Sequence, residues 1–428
     1  MRKATIARIA AALTGVLVAT ACGSDQGGEG GGDPDGRGPI TFATIKDGTG
    51  TVPKLVEKWN AEHPDEKVTI VELPEGADGQ RQKLVQQAQT ASGSHDVITI
   101  DIPWNAEFAA RRWITELPED SFDVDGFFPS ALEGSRYRGK LYSIPHFTGS
   151  AMLYYREDLL KKVDAEPPAT WAEMWDVCEK VLALPEAKGM SCYTGQHDKY
   201  EGLTVNFLEA VASAGGQVFD ESGKPAVDTP EAAEGLRFLV DGFDEGHIPS
   251  DAITYKEEEG RRAFQQGDLV FHRNWAYIYA LAGADDGSSE VAGKFGVTVI
   301  PGQDAEGVSA LGGNNLAVSA FSTKQATARD FIAYLTSLDV QLEHAEGSAY
   351  PMTRTEVYSD PDLKKRYPYL TVLKEGIERA QPRPSIVRYG DASAVIQNHV
   401  YAALKGEKTV DDALAAMQKE LTQLTQGS

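Results

Sequence analysis

Hydrophobic and polar residues follow two different periods between positions 40 and 100. Short runs of β-branched and apolar residues predict strands, and apolar residues three or four positions apart predict helices. In chain order these are a strand at 40–45, a helix at 49–62, a strand at 68–71, a helix at 79–91 and a strand at 97–100. This order predicts a parallel sheet with helices on its faces, an α/β fold. Asp47 and Asp101 follow two of the strands, where such sheets bind ligands.

The alternation of strands and helices continues to the end of the chain. Thr170 and Glu173 form a predicted capping box, so we expect a helix from there to about residue 184. Further helices are predicted at 205–214 and after Thr409, and further strands at 295–300 and 316–319. The last helix carries an apolar stripe of Val410, Ala413, Leu414, Met417 and Leu421. Met and Leu at this spacing predict core packing and not a site.

The first residues have the pattern of an export signal. Basic residues precede the apolar run 9–18, which is too short to span a bilayer as a helix. Small residues then lead to Cys22 in a pattern that resembles the bacterial lipobox, although Ala19 stands where that motif usually has Leu. We predict a signal peptide at 1–21 and a lipid on Cys22, which anchors the protein to the outer face of the bacterial cytoplasmic membrane. The alternative is an ordinary signal peptide with an incidental cysteine.

The segment after Cys22 is rich in glycine. Eight of the 16 residues from 23 to 38 are Gly, and none of them can build a core. This composition predicts a flexible tether that occupies residues 22–38 together with the lipidated cysteine.

The chain of 428 residues is strongly acidic. It has 41 Lys and Arg against 64 Asp and Glu, a formal net charge of −23, and loss of Arg2, Lys3 and Arg8 with the signal peptide makes this −26. Such a surface repels phosphate groups, so we expect no nucleic acid partner. A hydrophobic fraction of 41% indicates a folded chain, and the length allows two or three domains or one two-lobed body.

The sequence lacks the local motifs of several enzyme classes. It has no G-x-x-x-x-G-K-[ST], no H-E-x-x-H and no G-x-S-x-G. No two of its eight histidines are close enough to share a helix face, so we expect neither a metal nor a cofactor. Paired carboxylates from distant strands keep a lipid-anchored glycoside hydrolase as an alternative.

Cys178 and Cys192 remain once Cys22 is assigned to the lipid. Outside the cytoplasm two thiols at this separation can form a disulfide that closes a loop of about 15 residues. The alternative is two buried thiols, because cysteine packs as a small hydrophobic residue. We predict the disulfide.

Several motifs follow one another at characteristic spacings from residue 59 onward. They are Trp59-Asn60-x-x-His63-Pro64, Asp101-x-x-Trp104-x-x-Glu107-Phe108, Gly139-Lys140-Leu141-Tyr142-Ser143-Ile144-Pro145, Leu153-Tyr154-Tyr155-Arg156-x-Asp158-Leu159, Tyr200-Glu201-Gly202-Leu203, Arg273-Asn274-Trp275-Ala276-Tyr277, Leu311-Gly312-Gly313, and Pro382-Arg383-Pro384 with Arg388-Tyr389. In order and spacing this set resembles the extracellular solute-binding proteins of ATP-driven sugar importers, the maltose- and trehalose-binding class. The resemblance covers nearly the whole chain after residue 40.

The resemblance implies the fold and the partners. The fold would be that of class II periplasmic binding proteins, with two α/β lobes, a hinge and a ligand cleft between the lobes. Lobe 1 would comprise 39–146 plus 299–338, and lobe 2 would comprise 147–298 plus 339–428. The implied partners are a carbohydrate and the permease subunits of an ABC importer, and we expect a monomer with no catalytic activity.

The strand-end position of Asp47 and the resemblance together imply a set of ligand-binding residues. These are Asp47, Asp101, Trp104, Phe147, Thr148, Glu201, Asn274, Trp275, Tyr277, Gly313, Asn314 and Arg388. Aromatic rings cover the apolar C–H face of a sugar, while carboxylate, amide and guanidinium groups bond its hydroxyls. In an extended segment Trp275 and Tyr277 would point the same way, because they are two residues apart.

Each kind of candidate has a structural alternative. For Trp275 it is core packing, since large aromatic residues are usually buried, and for Trp104 it is a place lining the loop. For Asp101 it is a helix cap or a turn, and for Asn274 it is the capping of the local turn. For Arg388 it is a solvated surface charge.

Two positions depart from the pattern of the disaccharide binders. Many of those proteins carry an Asp shortly after the Ile-Pro pair, where this chain has Phe147, Thr148 and Gly149. Many also carry a Trp after the Gly-Gly pair, where this chain has Asn314. We therefore expect a sugar, a disaccharide or short oligosaccharide, whose identity as maltose or trehalose the sequence does not establish. The same fold binding a non-sugar solute is the alternative.

Overall fold

Two mixed β-sheets organise the chain. The computed structural model describes residues 32–220, 223–348 and 350–426. Its strands are β1 Ile40–Thr44, β2 Val68–Glu72, β3 Val97–Asp101, β4 Arg136–Tyr137, β5 Lys140–Leu141, β6 Ile144–Gly149, β7 Ala151–Tyr155, β8 Ser191–Thr194, β9 Leu269–Trp275, β10 Gly296–Thr298 and β11 Gly312–Val318. Sheet 1 has the order β2-β1-β3-β11-β6, and sheet 2 has the order β10-β7-β9-β8.

Helices surround both sheets. They are α1 Thr51–Glu62, α2 Ala77–Gln89, α3 Asn105–Ala110, α4 Pro129–Glu133, α5 Glu157–Lys162, α6 Trp171–Leu182, α7 Glu201–Ser213, α8 Pro230–Asp244, α9 Glu257–Gln265, α10 Ile278–Ala282, α11 Gln325–Leu335, α12 Leu338–Ser348, α13 Pro361–Arg366, α14 Leu370–Arg379, α15 Tyr389–Leu404 and α16 Val410–Gln426. Four of the five residues of the predicted stripe of α16 are buried and Val410 is partly buried, in one core with α7, α8 and α15. The capping box of α6 is confirmed, since Thr170 Oγ1 accepts from Glu173 N and Glu173 Oε2 accepts from Thr170 N.

The predicted parallel sheet is confirmed for three strands. In sheet 1, β1 pairs in parallel with both β2 and β3. Strand β11, for which the sequence pattern predicted no direction, runs antiparallel to β3 and to β6. The chain enters β11 from sheet 2 and not through a helix packed on sheet 1, so the strand–helix–strand rule does not govern its direction.

The chain crosses between the sheets along two neighbouring paths. The first runs from β6 through Ser150 into β7, and the second joins β10 to β11 through residues 299–311. Gly149 pairs with Gly312, so the two paths lie side by side. The result is two α/β lobes, one around each sheet, joined by adjacent segments.

Helix α7 and strand β11 begin four residues earlier than the sequence pattern predicts. Helix α7 begins at Glu201 and not near residue 205, and the buried Glu201 side chain accepts a hydrogen bond from Ser393 Oγ of α15. Strand β11 begins at Gly312 and not at residue 316. Gly313 has φ +138°, which glycine alone adopts readily, and a Cβ there would lie 2.1 Å from the carbonyl oxygen of Phe147.

The predicted tether is bonded to the lobe of sheet 1 at its end. Asp33 N donates to Ser322 O, and Arg37 pairs with Glu66 and Asp330. Cys22 and the predicted signal peptide lie outside the described residues. Within the described ranges no helix is long and apolar enough to cross a membrane.

The structure joins Cys178 on α6 and Cys192 on β8 by a disulfide, with the two Cα atoms 5.6 Å apart. Both cysteines are buried in the core that packs α6 against β8 and β9. The disulfide therefore lies within the core of the lobe of sheet 2.

Candidate functional site

A buried arginine connects the two lobes. Arg383 Nη1 donates to Asp101 Oδ2 and to Glu201 Oε1, at 2.8 Å in each case, and Nη2 donates to Asp101 Oδ1. Asp101 is the last residue of β3 in sheet 1, and Glu201 is the first residue of α7 in the other lobe. The side chains of Arg383, Asp101 and Glu201 are only 4%, 11% and 6% exposed. We call these three residues the interlobe bridge.

Glu201 has further donors around it. Tyr389 Oη donates to its Oε1 and Ser393 Oγ to its Oε2, each at 2.5 Å. Burial raises the pKa of the Glu201 carboxyl, while Arg383 and the hydrogen bonds from Ser393 and Tyr389 limit the rise. This dense set of fixed donors and acceptors has the chemistry needed to bond the hydroxyl groups of a ligand.

Asn314 and Phe147 lie next to the bridge in sheet 1. Asn314 on β11 pairs with Asp101 on one side and with Phe147 on the other. Phe147 and Thr148 are buried, and Phe147 packs against His344 and Tyr350. The Thr148 hydroxyl has no hydrogen-bond partner among the residues described here.

Trp275 lies where β9 meets the crossing segments. Its ring is half-buried and so close to Gly312 that a Cβ at Gly312 would lie 2.5 Å from Trp275 Cζ3. The guanidinium carbon of Arg273 is 4.3 Å from the centroid of the same ring. The ring is therefore held by Arg273 of its own strand and by the first residue of β11.

Tyr277 does not continue the extended segment. Strand β9 ends at Trp275, and Tyr277 has φ −59° and ψ −25°, at the start of α10. The prediction that Trp275 and Tyr277 share a direction through strand alternation is wrong, because the backbone turns between them. Tyr277 Oη donates to Glu258 Oε1 at 2.7 Å.

The side chains of Asn274 and Asp47 both form hydrogen bonds with backbone groups. Asn274 Nδ2 donates to Glu257 O, and its Oδ1 accepts from Trp275 N. The Asp47 carboxylate accepts from Thr49 N, Thr49 Oγ1 and Val52 N at the start of α1. Burial opposes the ionisation of Asp47, but these hydrogen bonds outweigh it and lower the pKa.

Trp104 and Arg388 have no hydrogen bond to the interlobe bridge among the described residues. Trp104 is 2% exposed and packs with Phe108 in a core beside sheet 1, because a short 3₁₀ turn at Ile102–Trp104 redirects the chain after β3. The Arg388 side chain is 40% exposed and pairs with Asp391, three residues away. The structure thus places Trp104 in core packing and Arg388 at the surface.

A sequence feature singles out Arg383, although it was not among the predicted ligand-binding residues. It belongs to the motif Pro382-Arg383-Pro384, and flanking prolines limit the backbone freedom of the residue between them. The sequence alone does not show that Arg383, and not Arg388, reaches Asp101. Among the described residues no three His, Cys, Asp or Glu side chains are arranged to hold a metal ion.

Comparison with known proteins identifies the family. The sequence profile described as "Bacterial extracellular solute-binding protein" matches residues 43–342. The chain belongs to this family. A probable ABC transporter-binding protein of Deinococcus radiodurans is 32% identical over 396 residues, which cover 90% of this solute-binding protein and 93% of the relative.

The names of two further relatives include a ligand. The maltose-bound structure of T. maritima MalE3 is similar with a TM-score of 0.85 and 34% identity, over 90% of this chain and 99% of that one. A mannitol-binding protein of Pseudomonas aeruginosa is 26% identical over 90% of this chain and 92% of its own length. The two-lobed α/β architecture of this solute-binding protein is therefore that of a family whose members bind solutes outside the cell.

Proposed function

We propose that this solute-binding protein captures a neutral sugar, a disaccharide or short oligosaccharide, for an ATP-driven importer. The sugar lies between lobe 1, which is built around sheet 1, and lobe 2, which is built around sheet 2. The interlobe bridge of Asp101, Arg383 and Glu201 is the observation that carries the proposal, because it concentrates hydroxyl-binding groups from both lobes at one buried point.

An aromatic ring next to the bridge supports a sugar. Trp275 packs at Gly312, and Asp101 pairs with Asn314, two residues further along β11. Two residues of a strand span about 7 Å, which is comparable to the width of a sugar ring. Trp275 can therefore cover an apolar face while the bridge bonds the hydroxyls of the same ligand.

The nearby departures bear on which sugar is bound. Phe147 and Thr148 supply an apolar ring and a hydroxyl where a carboxylate is common, and Asn314 supplies an amide where an indole is common. Compared with that pattern, one carboxylate and one indole ring are replaced. This favours a ligand with an additional hydroxyl near Asn314.

The proposed mechanism is cleft closure without a chemical step. A sugar bonded to groups of both lobes binds the closed form more tightly than the open form, and this difference in affinity drives closure. The closed form then docks on the permease subunits. We further propose that the protein acts as a monomer, exported by its signal peptide and held at the outer face of the cytoplasmic membrane by a lipid on Cys22.

A thermal-shift panel tests the class of ligand. The panel contains neutral disaccharides, monosaccharides, mannitol, a polyamine and a sugar phosphate. The proposal expects the melting temperature to rise with a neutral sugar and not with the charged solutes. A rise with charged solutes only would overturn it, and turnover of chromogenic glycosides would favour the hydrolase.

A further inference from the structure

A buried ion pair links Trp275 to the crossing segments. Arg273 lies two residues before Trp275 on β9, so both side chains leave the same face of the strand. The guanidinium of Arg273 contacts the Trp275 ring and also forms a bidentate pair with Glu209 of α7. Nε donates to Oε2 at 2.8 Å and Nη2 donates to Oε1 at 2.6 Å.

Glu209 extends the link to the second crossing segment. Its Oε1 also accepts from Ser309 Oγ at 2.9 Å and from Ala310 N at 3.1 Å. The Arg273 and Glu209 side chains are 2% and 5% exposed. Because both side chains are buried away from water, separating the pair would leave a buried charge without a partner, so the pair keeps its geometry.

Ser309 of the second crossing segment bonds two other connecting segments, which are the first crossing segment and the segment of Gln381 between α14 and α15. Its Oγ accepts from Ala151 N at 2.8 Å, directly after the first crossing, and its carbonyl oxygen accepts from Gln381 N at 2.9 Å. The segment of Gln381 leads to Arg383 of the interlobe bridge. A change in the orientation of residues 309–310 must therefore alter bonds to the other two connecting segments as well.

We propose that Arg273 and Glu209 are positioning residues that couple the orientation of the Trp275 ring to the hinge at Ser309. The pair fixes the ring relative to the crossing segments, so the ring is correctly placed for stacking only in one arrangement of the hinge. This inference rests on the proposed function for its consequence in ligand binding. The coupling itself is a property of the protein without ligand.

The coupling is tested first without any sugar. The indole N–H resonance of Trp275, assigned with Trp275→Phe, is compared between the native protein and Ser309→Ala. We expect the substitution to move this resonance, and we expect the movement to disappear in the Glu209→Gln background. An unmoved resonance, or an equal movement in both backgrounds, would overturn the proposal whether or not a sugar binds.

Ser213→Ala is the matched control. Ser213 on α7 also bonds the second crossing segment, because its Oγ accepts from Val308 N at 2.9 Å, and among the described residues this hydroxyl bonds Val308 and not the Glu209 carboxylate. The substitution therefore removes a hydroxyl that bonds the residue directly before Ser309. We expect the Trp275 resonance to stay in place in this variant, and an equal movement would mean that any loosening of the segment suffices.

A double-mutant cycle then tests the consequence for binding. Ser309→Ala and Trp275→Leu are each expected to weaken sugar affinity, by on the order of ten-fold. Relative to the native protein, the double variant should lose less affinity than the product of the two single factors, because both substitutions break one linkage. Agreement with the product within about two-fold would contradict the coupling. Loss of the resonance effect refutes the coupling, whereas absence of sugar binding by the native protein refutes the proposed function.

Discussion

Arg383 donates hydrogen bonds to both carboxylate oxygens of Asp101, although 282 positions separate the two residues in the chain. The same guanidinium bonds Glu201 at the start of α7. One side chain therefore ties the end of β3 in one lobe to a helix of the other. It is the most direct contact between the groups that we propose to bind the sugar hydroxyls.

Arg383→Lys is expected to weaken sugar binding by about ten- to a hundred-fold. Lysine keeps the charge but cannot form the planar bidentate bond to Asp101 and bond Glu201 at the same time. Calorimetric titration gives the dissociation constant, and circular dichroism checks the fold. Arg388→Lys, the same change five positions away at an exposed ion pair, serves as the control and should bind like the native protein. Equal affinities of the two variants would remove Arg383 from the site.

Gly312→Ala is expected to displace the Trp275 ring. A Cβ at this position would lie 2.5 Å from Cζ3 and 2.9 Å from Cη2 of the indole, so the ring must move. We expect weaker sugar binding, by several-fold or more, with the secondary structure intact. Gly79→Ala on α2 is the matched control, because its Cβ would meet only Pro74 Cβ at 3.4 Å. Unchanged affinity in Gly312→Ala would mean that the ring does not contact the ligand.

The fold could be predicted further than the site. The strand–helix order at the start of the chain and the stripe of α16 are local patterns, and the structure confirms them. The antiparallel direction of β11 depends on the chain crossing between sheets, which no local pattern records. The spacing of hydrophobic residues determines which face of a helix or strand is buried. The path by which the chain crosses between the two sheets depends instead on contacts between residues far apart in the sequence.

The choice between two arginines shows the same limit at the site. Arg383 and Arg388 are five residues apart in one motif, and only the structure shows which of them turns inward. Arg388 directly precedes α15 and pairs with Asp391 in its first turn, while Arg383 lies in the preceding segment opposite Asp101. Arg383 turns inward because the end of β3 and the start of α7 lie opposite it, and only the complete fold brings these two termini together.

Folding stability is expected to fall as the pH falls from about 6.5 to about 4, in part because of His344. Burial lowers the pKa of His344 to about 4, with Asp47 opposing the shift, and neither ring nitrogen has a hydrogen-bond partner among the residues described. In this window the unfolded chain binds a proton that the folded chain does not, so protonation favours unfolding. The pKa difference corresponds to about 3 kcal/mol.

Urea unfolding at several pH values measures this dependence. His344→Phe keeps a ring against Phe147 and Tyr350 but removes the titrating group, so it should reduce the slope of unfolding free energy against pH between 4 and 6.5. The slope and not the absolute stability is compared, because the new ring also changes packing. An identical slope in the variant would mean that His344 is protonated in the folded protein or exposed to water.

The disulfide predicts the number of reactive thiols. In the Cys22→Ser variant of the full chain, denatured without reductant, we expect no free thiol, and two after reduction. Two free thiols before reduction would show that Cys178 and Cys192 are packed as separate side chains. The two alternatives predict different unfolding behaviour, since a bridge across this loop contributes about 3 kcal/mol in the chain-entropy model.

The most direct test of sugar capture is a calorimetric titration of the native protein with neutral mono-, di- and trisaccharides. We predict saturable binding of one sugar per chain. In Trp275→Ala we expect the binding heat to be lost while the fold persists. Saturable binding of a charged solute with no heat from any neutral sugar would contradict it.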